Sequence, residues 1–223
     1  MGWINTIWKS IDQRLEITPV IEKEMIHKQV PKLHRWWDHA GLSCFGGLSL
    51  VLFMVQLVSG FILLVYYIPH SDHAYNSIVF MENQVAFGWF WRRIHAVGSN
   101  LMVFTVIVHM LKVFYTGAYH NPREMHWLTG FFLFLMTLGS AFSGYILPWS
   151  QMSFWAATVV TDAMAVIPFL GEWTVQFIRG GELITGVTLG RFFALHMVLP
   201  VVMIVFMGMH FMMIRKTGIS EPL

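Results

Sequence analysis

The segments HAVGSNLMVFTVIVH (95–109) and HMVLPVVMIVFMGMH (196–210) each begin and end on histidine, fourteen residues apart and otherwise almost wholly apolar. Two further segments, GGLSLVLFMVQLVSG (46–60) and GFFLFLMTLGSAFSG (130–144), begin and end on glycine at the same interval. On an α-helix rising about 1.5 Å per residue, fourteen steps advance roughly 21 Å and return close to the starting face. Each pair therefore marks two levels on one side of one helix.

Around these segments the chain is that of a membrane protein. Of 223 residues, 56% are hydrophobic and 12% charged, against about 25% charged in a soluble domain, and mean hydropathy is +0.60. Four stretches suffice to cross a hydrocarbon core that needs about 20 apolar residues: span A (42–68), B (94–111), C (127–147) and D (192–214). The fold expected is all-α, an up-down bundle of four transmembrane helices. Pro69 and the polar run 71–76 end A, Gly117, Asn121 and Pro122 break the B–C connection, and Pro148 opens a long C–D connection. Within it Met152–Ile167 reads as a short amphipathic surface helix.

The cations set the orientation expected. Lys9, Arg14, Lys23, Lys28, Lys32 and Arg35 precede A, Lys112 and Arg123 flank B to C, and Arg215 and Lys216 follow D. With four spans these share one side, which the positive-inside rule makes the cytoplasmic one. Residues 1–41 are then a cytoplasmic segment that lacks the short apolar run of a cleavable signal peptide. A net charge of +2 gives no reason to expect nucleic acid, and the basic amino-terminal segment fits lipid headgroups.

A lone histidine in an apolar helix is ordinarily a hydrogen-bonded core residue. Four, in two equal-interval pairs on spans that run the same way, are costly to keep in a membrane and point to function. His95 is level with His196, and His109 with His210. Neutral imidazole ligates haem iron, and two imidazoles per iron close both axial positions, leaving electron transfer. The bundle is thus expected to enclose two stacked b-type haems. Spans A and C run the other way, so Gly60 and Gly144 stand at the outer level and Gly46 and Gly130 at the inner, where a missing side chain would let a macrocycle edge approach. Arg92 and Arg191, before the outer histidines, are candidates for haem propionates.

The segments SCFGG (43–47), RRIHAVGSN (92–100), NPRE (121–124), SGYILPWSQMSFWAATVVT (143–161), RFFALH (191–196) and HFMMIRKTGISEPL (210–223) resemble the amino-terminal half of cytochrome b, over almost the whole chain. Ending after the fourth span is similar to the split, b6-type form. The resemblance implies one domain over 1–223 and the di-haem subunit of a quinol–cytochrome c (or plastocyanin) oxidoreductase. Quinol would be oxidised at the outer face and electrons passed across the membrane to a quinone inside. Implied partners are a carboxy-terminal cytochrome b subunit (subunit IV-like), a Rieske iron–sulfur protein and a c-type cytochrome, in a dimeric complex. The outer quinol site falls in the 148–187 loop and its flank, with Tyr145, Ser150, Met152, Phe154 and Val159 as candidates. Lys112 and Arg215 complete the candidate cofactor-binding set, Lys112 standing where an arginine often meets an inner-haem propionate. Cys44, the single cysteine, lies where b6-type chains attach a third haem through one thioether bond.

The sequence also departs from its relatives. Ser150 replaces the glycine of bc1-type and the aspartate of b6-type proteins, the interval in D is fourteen rather than the fifteen of plant b6, and the proton-accepting Pro-Glu-Trp-Tyr motif is absent. A di-haem anchor of a dehydrogenase or hydrogenase would also need histidine pairs, but has no use for the PWSQMSFW segment. A haem-free proton channel is the other rival. The remaining histidines, 27, 34, 39, 70, 73, 120 and 126, read as boundary residues, with room for a proton relay to the inner quinone among them.

Overall fold

The structure is a computed structural model that describes Thr6, Lys9 and residues 44–218. Chain contacts divide it into an amino-terminal unit, 1–41, and a main unit, 42–221. Thr6 and Lys9, both helical, are the described residues of the first. His27, His34, His39 and the expected cytoplasmic segment otherwise lie outside the described residues.

In the main unit the chain forms seven helices: α1 (Phe45–Leu64), α2 (Ala74–Gln84), α3 (Gly88–Tyr115), α4 (Glu124–Ile146), α5 (Gln151–Ala165), α6 (Gly171–Arg179) and α7 (Gly186–Thr217). Among the described residues there is no strand. Four helices, α1, α3, α4 and α7, are long and apolar enough to cross a membrane, and they correspond to spans A to D. Three run past the expected limits, α4 by starting at Glu124, three residues before span C. α3 starts six residues before span B, taking in Arg92 and Arg93, and α7 takes in Arg191 at one end and Arg215 and Lys216 at the other. A helix satisfies its backbone whatever its side chains do, so charges flanking a span do not end it.

The spans pack by twos. α1 lies chiefly against α3 and α4 chiefly against α7, with α3 against α4 joining the pairs. Midway along the bundle Phe53, Met102, Leu133 and Met203 form a buried cluster, wrapped by Leu52, Leu57, Val106, Met136, Phe206 and Met207. Phe53, Met102 and Met203 each stand seven residues from both members of their glycine or histidine pair. The cluster is therefore a packed apolar layer between the two levels.

The short helices α2, α5 and α6 gather at one end. α5 matches the expected surface helix, shifted by one or two residues, and is started by Ser150, whose Oγ accepts from the Ser153 amide at 3.3 Å. α2 and α6 are additions to the sequence reading. Each buries a single stripe at helical spacing, Ala74, Ser77 and Met81 on α2 and Gly171, Val175 and Arg179 on α6. α2 turns directly into α3 through Phe87, at φ 58°. A Cβ on Gly88 would lie within 1.9 Å of the Met81 carbonyl oxygen, so only glycine fits that crossing. α7 begins with a capping box between Thr185 and Thr188. It continues through Pro200, which lacks the amide that would bond one turn back.

Candidate haem site

Each glycine faces one of the four histidines. On Gly60 a Cβ would stand 3.1 Å from Cε1 of His95, and on Gly144 it would stand 2.6 Å from Cε1 of His196. At the other level the distances are 3.0 Å from Gly46 to His109 and 3.5 Å from Gly130 to His210. Thus α1 shelters both histidines of α3, and α4 both histidines of α7. The glycines thus stand directly against the imidazoles.

The imidazoles are also held by hydrogen bonds. Nδ1 of His95 meets the Ser59 hydroxyl at 2.9 Å. Nδ1 of His196 meets the Ser143 hydroxyl at 3.2 Å and the Ser140 carbonyl oxygen at 2.9 Å. Nδ1 of His210 meets the Thr129 hydroxyl at 3.1 Å. Nδ1 of His109 is buried with no such partner among the described residues. Anchoring one ring nitrogen on a carbonyl and leaving the other to a metal is the usual arrangement of a ligating histidine.

The rings of His95 and His196 face each other with centroids 6.2 Å apart and planes crossing at 79°. Two imidazoles sharing one metal atom through Nε2, with metal–nitrogen bonds of about 2.0 Å, hold their centres about 6.3 Å apart. The pair therefore fits a bis-imidazole iron, and a haem is the cofactor the residues suit.

The other candidates are placed as follows. Arg92 donates to Glu82 at 2.9 Å, pairing α3 with α2. Arg191 bonds the Phe177 carbonyl and lies 5.8 Å over the Phe177 ring. Lys112 is buried in the last turn of α3, whereas Arg215 is exposed in the last turn of α7. Cys44, with an exposed thiol, precedes α1 two residues before Gly46, and its carbonyl accepts from Leu48.

At the loop-rich end, Tyr145, Met152 and Val159 are exposed, and Phe154 packs edge-on against Trp149 at 6.2 Å. Met152 and Val159, seven apart, share one face of α5. Ser150 is occupied in capping, and its hydroxyl also meets that of Ser153 at 3.0 Å, which donates to the Tyr145 carbonyl. The segment is braced from behind by Ile146, Ala157 and Phe192. Tyr67 ties the end of α1 to it, donating to the Leu147 carbonyl at 2.7 Å and packing on Phe193. Burial pushes its hydroxyl well above the usual phenol range.

Sequence profiles of the Cytochrome b/b6/petB family match residues 27–218. The chain belongs to the cytochrome b/b6 family. Cytochrome b6 of Synechococcus sp. (strain JA-3-3Ab) is 40% identical, over 99% of this chain and 100% of its own. That of Rippkaea orientalis (strain PCC 8801 / RF-1) is 41% identical over 97% and 96%. A solved structure, from a hyperthermophilic respiratory Complex III, superposes with a TM-score of 0.84 at 33% identity, covering 96% of this chain and 56% of that one. As a cytochrome b/b6 chain it is a multi-pass membrane protein with a b-type haem and an electron-transfer role in a cytochrome bc-type complex.

Sequence reasoning missed Ser59, Thr129 and Ser143. The signal was there: three of the four glycines follow directly on a hydroxyl residue, as Ser59-Gly60, Thr129-Gly130 and Ser143-Gly144.

Proposed function

We propose that the chain is the di-haem subunit of a quinol–cytochrome c (or plastocyanin) oxidoreductase, with two bis-histidine haems stacked across the membrane. The facing of His95 and His196 at 6.2 Å, between Gly60 and Gly144, carries the reading. Bound between such imidazoles, haem supplies a one-electron carrier with no open coordination position. The protein's part is to offer Nε2 lone pairs at two levels, keep water out with the Phe53–Met102–Met203 layer, and hold the levels apart.

Quinol would give up two electrons and two protons at the loop-rich end, taken as the outer face. Its ring and tail suit the apolar wall of Tyr145, Met152, Phe154 and Val159. One electron leaves to a Rieske iron–sulfur partner and on to a c-type cytochrome. The other crosses by way of the His95–His196 and His109–His210 levels to a quinone on the cytoplasmic side. Ser150 acts here through its cap on α5. A subunit IV-like chain completes the outer site, since this sequence has no Pro-Glu-Trp-Tyr motif. Residues 1–223 form one b6-like domain in a dimeric complex, with the amino terminus cytoplasmic.

Two experiments test this. Quinol added to the purified complex should reduce b-type haem, and a reduced-minus-oxidised spectrum without b bands would contradict the reading. Cys44 is proposed to carry a third, covalent haem: stain should remain on the chain in a denaturing gel and vanish in Cys44→Ser. A stain-free wild-type chain would refute that attachment alone.

A further inference from the structure

We propose that Ser59, Ser143 and Thr129 are positioning residues for the axial imidazoles, setting ring orientation and haem potential one level at a time. This rests on the di-haem reading above.

The geometry repeats three times. Each hydroxyl stands immediately before a glycine and gives its single proton to its own helix: Ser59 to the Val55 carbonyl at 2.6 Å, Ser143 to that of Gly139 at 2.7 Å, Thr129 to that of Met125 at 2.9 Å. With that proton committed, the oxygen can only accept from the imidazole. At His196 the second neighbour of Nδ1 is the Ser140 carbonyl oxygen at 2.9 Å, four residues before Gly144, which can only accept as well. Nδ1 must therefore carry the hydrogen in all three rings. Nε2 is left with the lone pair, as a metal ligand requires.

At His196 two acceptors on one N–H do more than select a tautomer. A carbonyl alone leaves the ring free to swing about the Nδ1–H direction; a second acceptor, from the turn above, fixes the plane. At Gly60 and Gly144 the glycine that follows is the position where a side chain would push the ring away. Electron density drawn toward the imidazole by these acceptors strengthens its donation to iron and favours the ferric state. Losing the hydroxyl should therefore favour the ferrous state.

The test is a redox titration of the purified complex combined with the low-spin ferric EPR spectrum. Ser59→Ala and Ser143→Ala should each move the same haem, that of the His95–His196 level, toward the reduced form by about threefold to tenfold at fixed potential, tenfold being 59 mV for one electron. Thr129→Val should move only the other haem. In each case the largest g value of the shifted haem should change, whereas Thr137→Val, whose hydroxyl bonds only the Leu133 carbonyl, should change nothing. Ser59→Thr, Ser143→Thr and Thr129→Ser should restore wild-type values. Where an alanine variant loses its haem, the Ser→Thr variant decides: a wild-type midpoint supports the proposal and a missing or displaced haem contradicts it. Unmoved or lowered midpoints in haem-replete variants would overturn it, as would Thr129→Val acting on the haem that Ser59 governs. A wild-type complex without b haem would instead contradict the di-haem reading itself.

Discussion

At Gly144 a Cβ would stand 2.6 Å from the His196 ring, whereas at Gly130 the corresponding gap to His210 is an ordinary 3.5 Å. The four glycines are thus alike in spacing and unlike in tolerance. An overlap of the first kind costs about 1–3 kcal/mol, so Gly144→Ala should weaken haem retention at its level by about fivefold or more, while Gly130→Ala should leave both haems in place. Pyridine haemochrome counts on the two variants check this, and equal losses would contradict it. Tyr67 offers a pH test. Because burial raises its hydroxyl's pKa in the folded chain, the unfolded chain loses that proton first, above about pH 10. Its contribution is complete below that pH and falls as pH rises. Tyr67→Phe should cost about 1 kcal/mol at neutral pH and flatten the alkaline decline, read from thermal melts at pH 8 and above 10. The histidines and glycines were legible in the sequence because their spacing is a property of helix geometry. The hydroxyls were harder to see: serine beside glycine is common, and its meaning depends on which ring the neighbouring helix brings to it.

Among the short helices, Arg179 holds the loop-rich end together. Although buried on α6, it donates to the Thr161 hydroxyl at 2.8 Å, the Asp162 carboxylate at 2.5 Å and the backbone carbonyls of Thr158 and Glu182. Thr188, at the start of α7, donates to the Arg179 carbonyl at 2.7 Å. One side chain therefore fastens α5, α6 and the connection into α7. Arg179→Ala should destabilise this cap locally by about 1–3 kcal/mol. Asp162 is largely exposed, so its lost partner is replaced by water. Hydrogen exchange should accelerate across α5 and α6 while α1 and α3 keep their protection; uniform acceleration would mean that the cap and the bundle unfold together. α5 was legible from the amphipathic run that follows Pro148. α2 and α6 were read as connection because each is short and buries only one narrow stripe, a signal that emerges only once a neighbour covers it.

Seen as a whole, the spans form two similar halves, α1 with α3 and α4 with α7, each pairing a glycine helix with a histidine helix. The fold followed from four apolar runs and one shared interval. That α1 serves α3 and α4 serves α7 did not, since spacing along a helix says nothing about which neighbour faces it. The halves meet so that His95 of one stands against His196 of the other, with an apolar layer between that level and the next. The most direct test of that account is the low-spin b-haem content of the purified complex in four single variants, His95→Ala, His196→Ala, His109→Ala and His210→Ala. The first two should lose one and the same haem, and the last two the other. If His95→Ala and His196→Ala remove different haems, or neither removes any, the pairing of levels across the two halves is wrong.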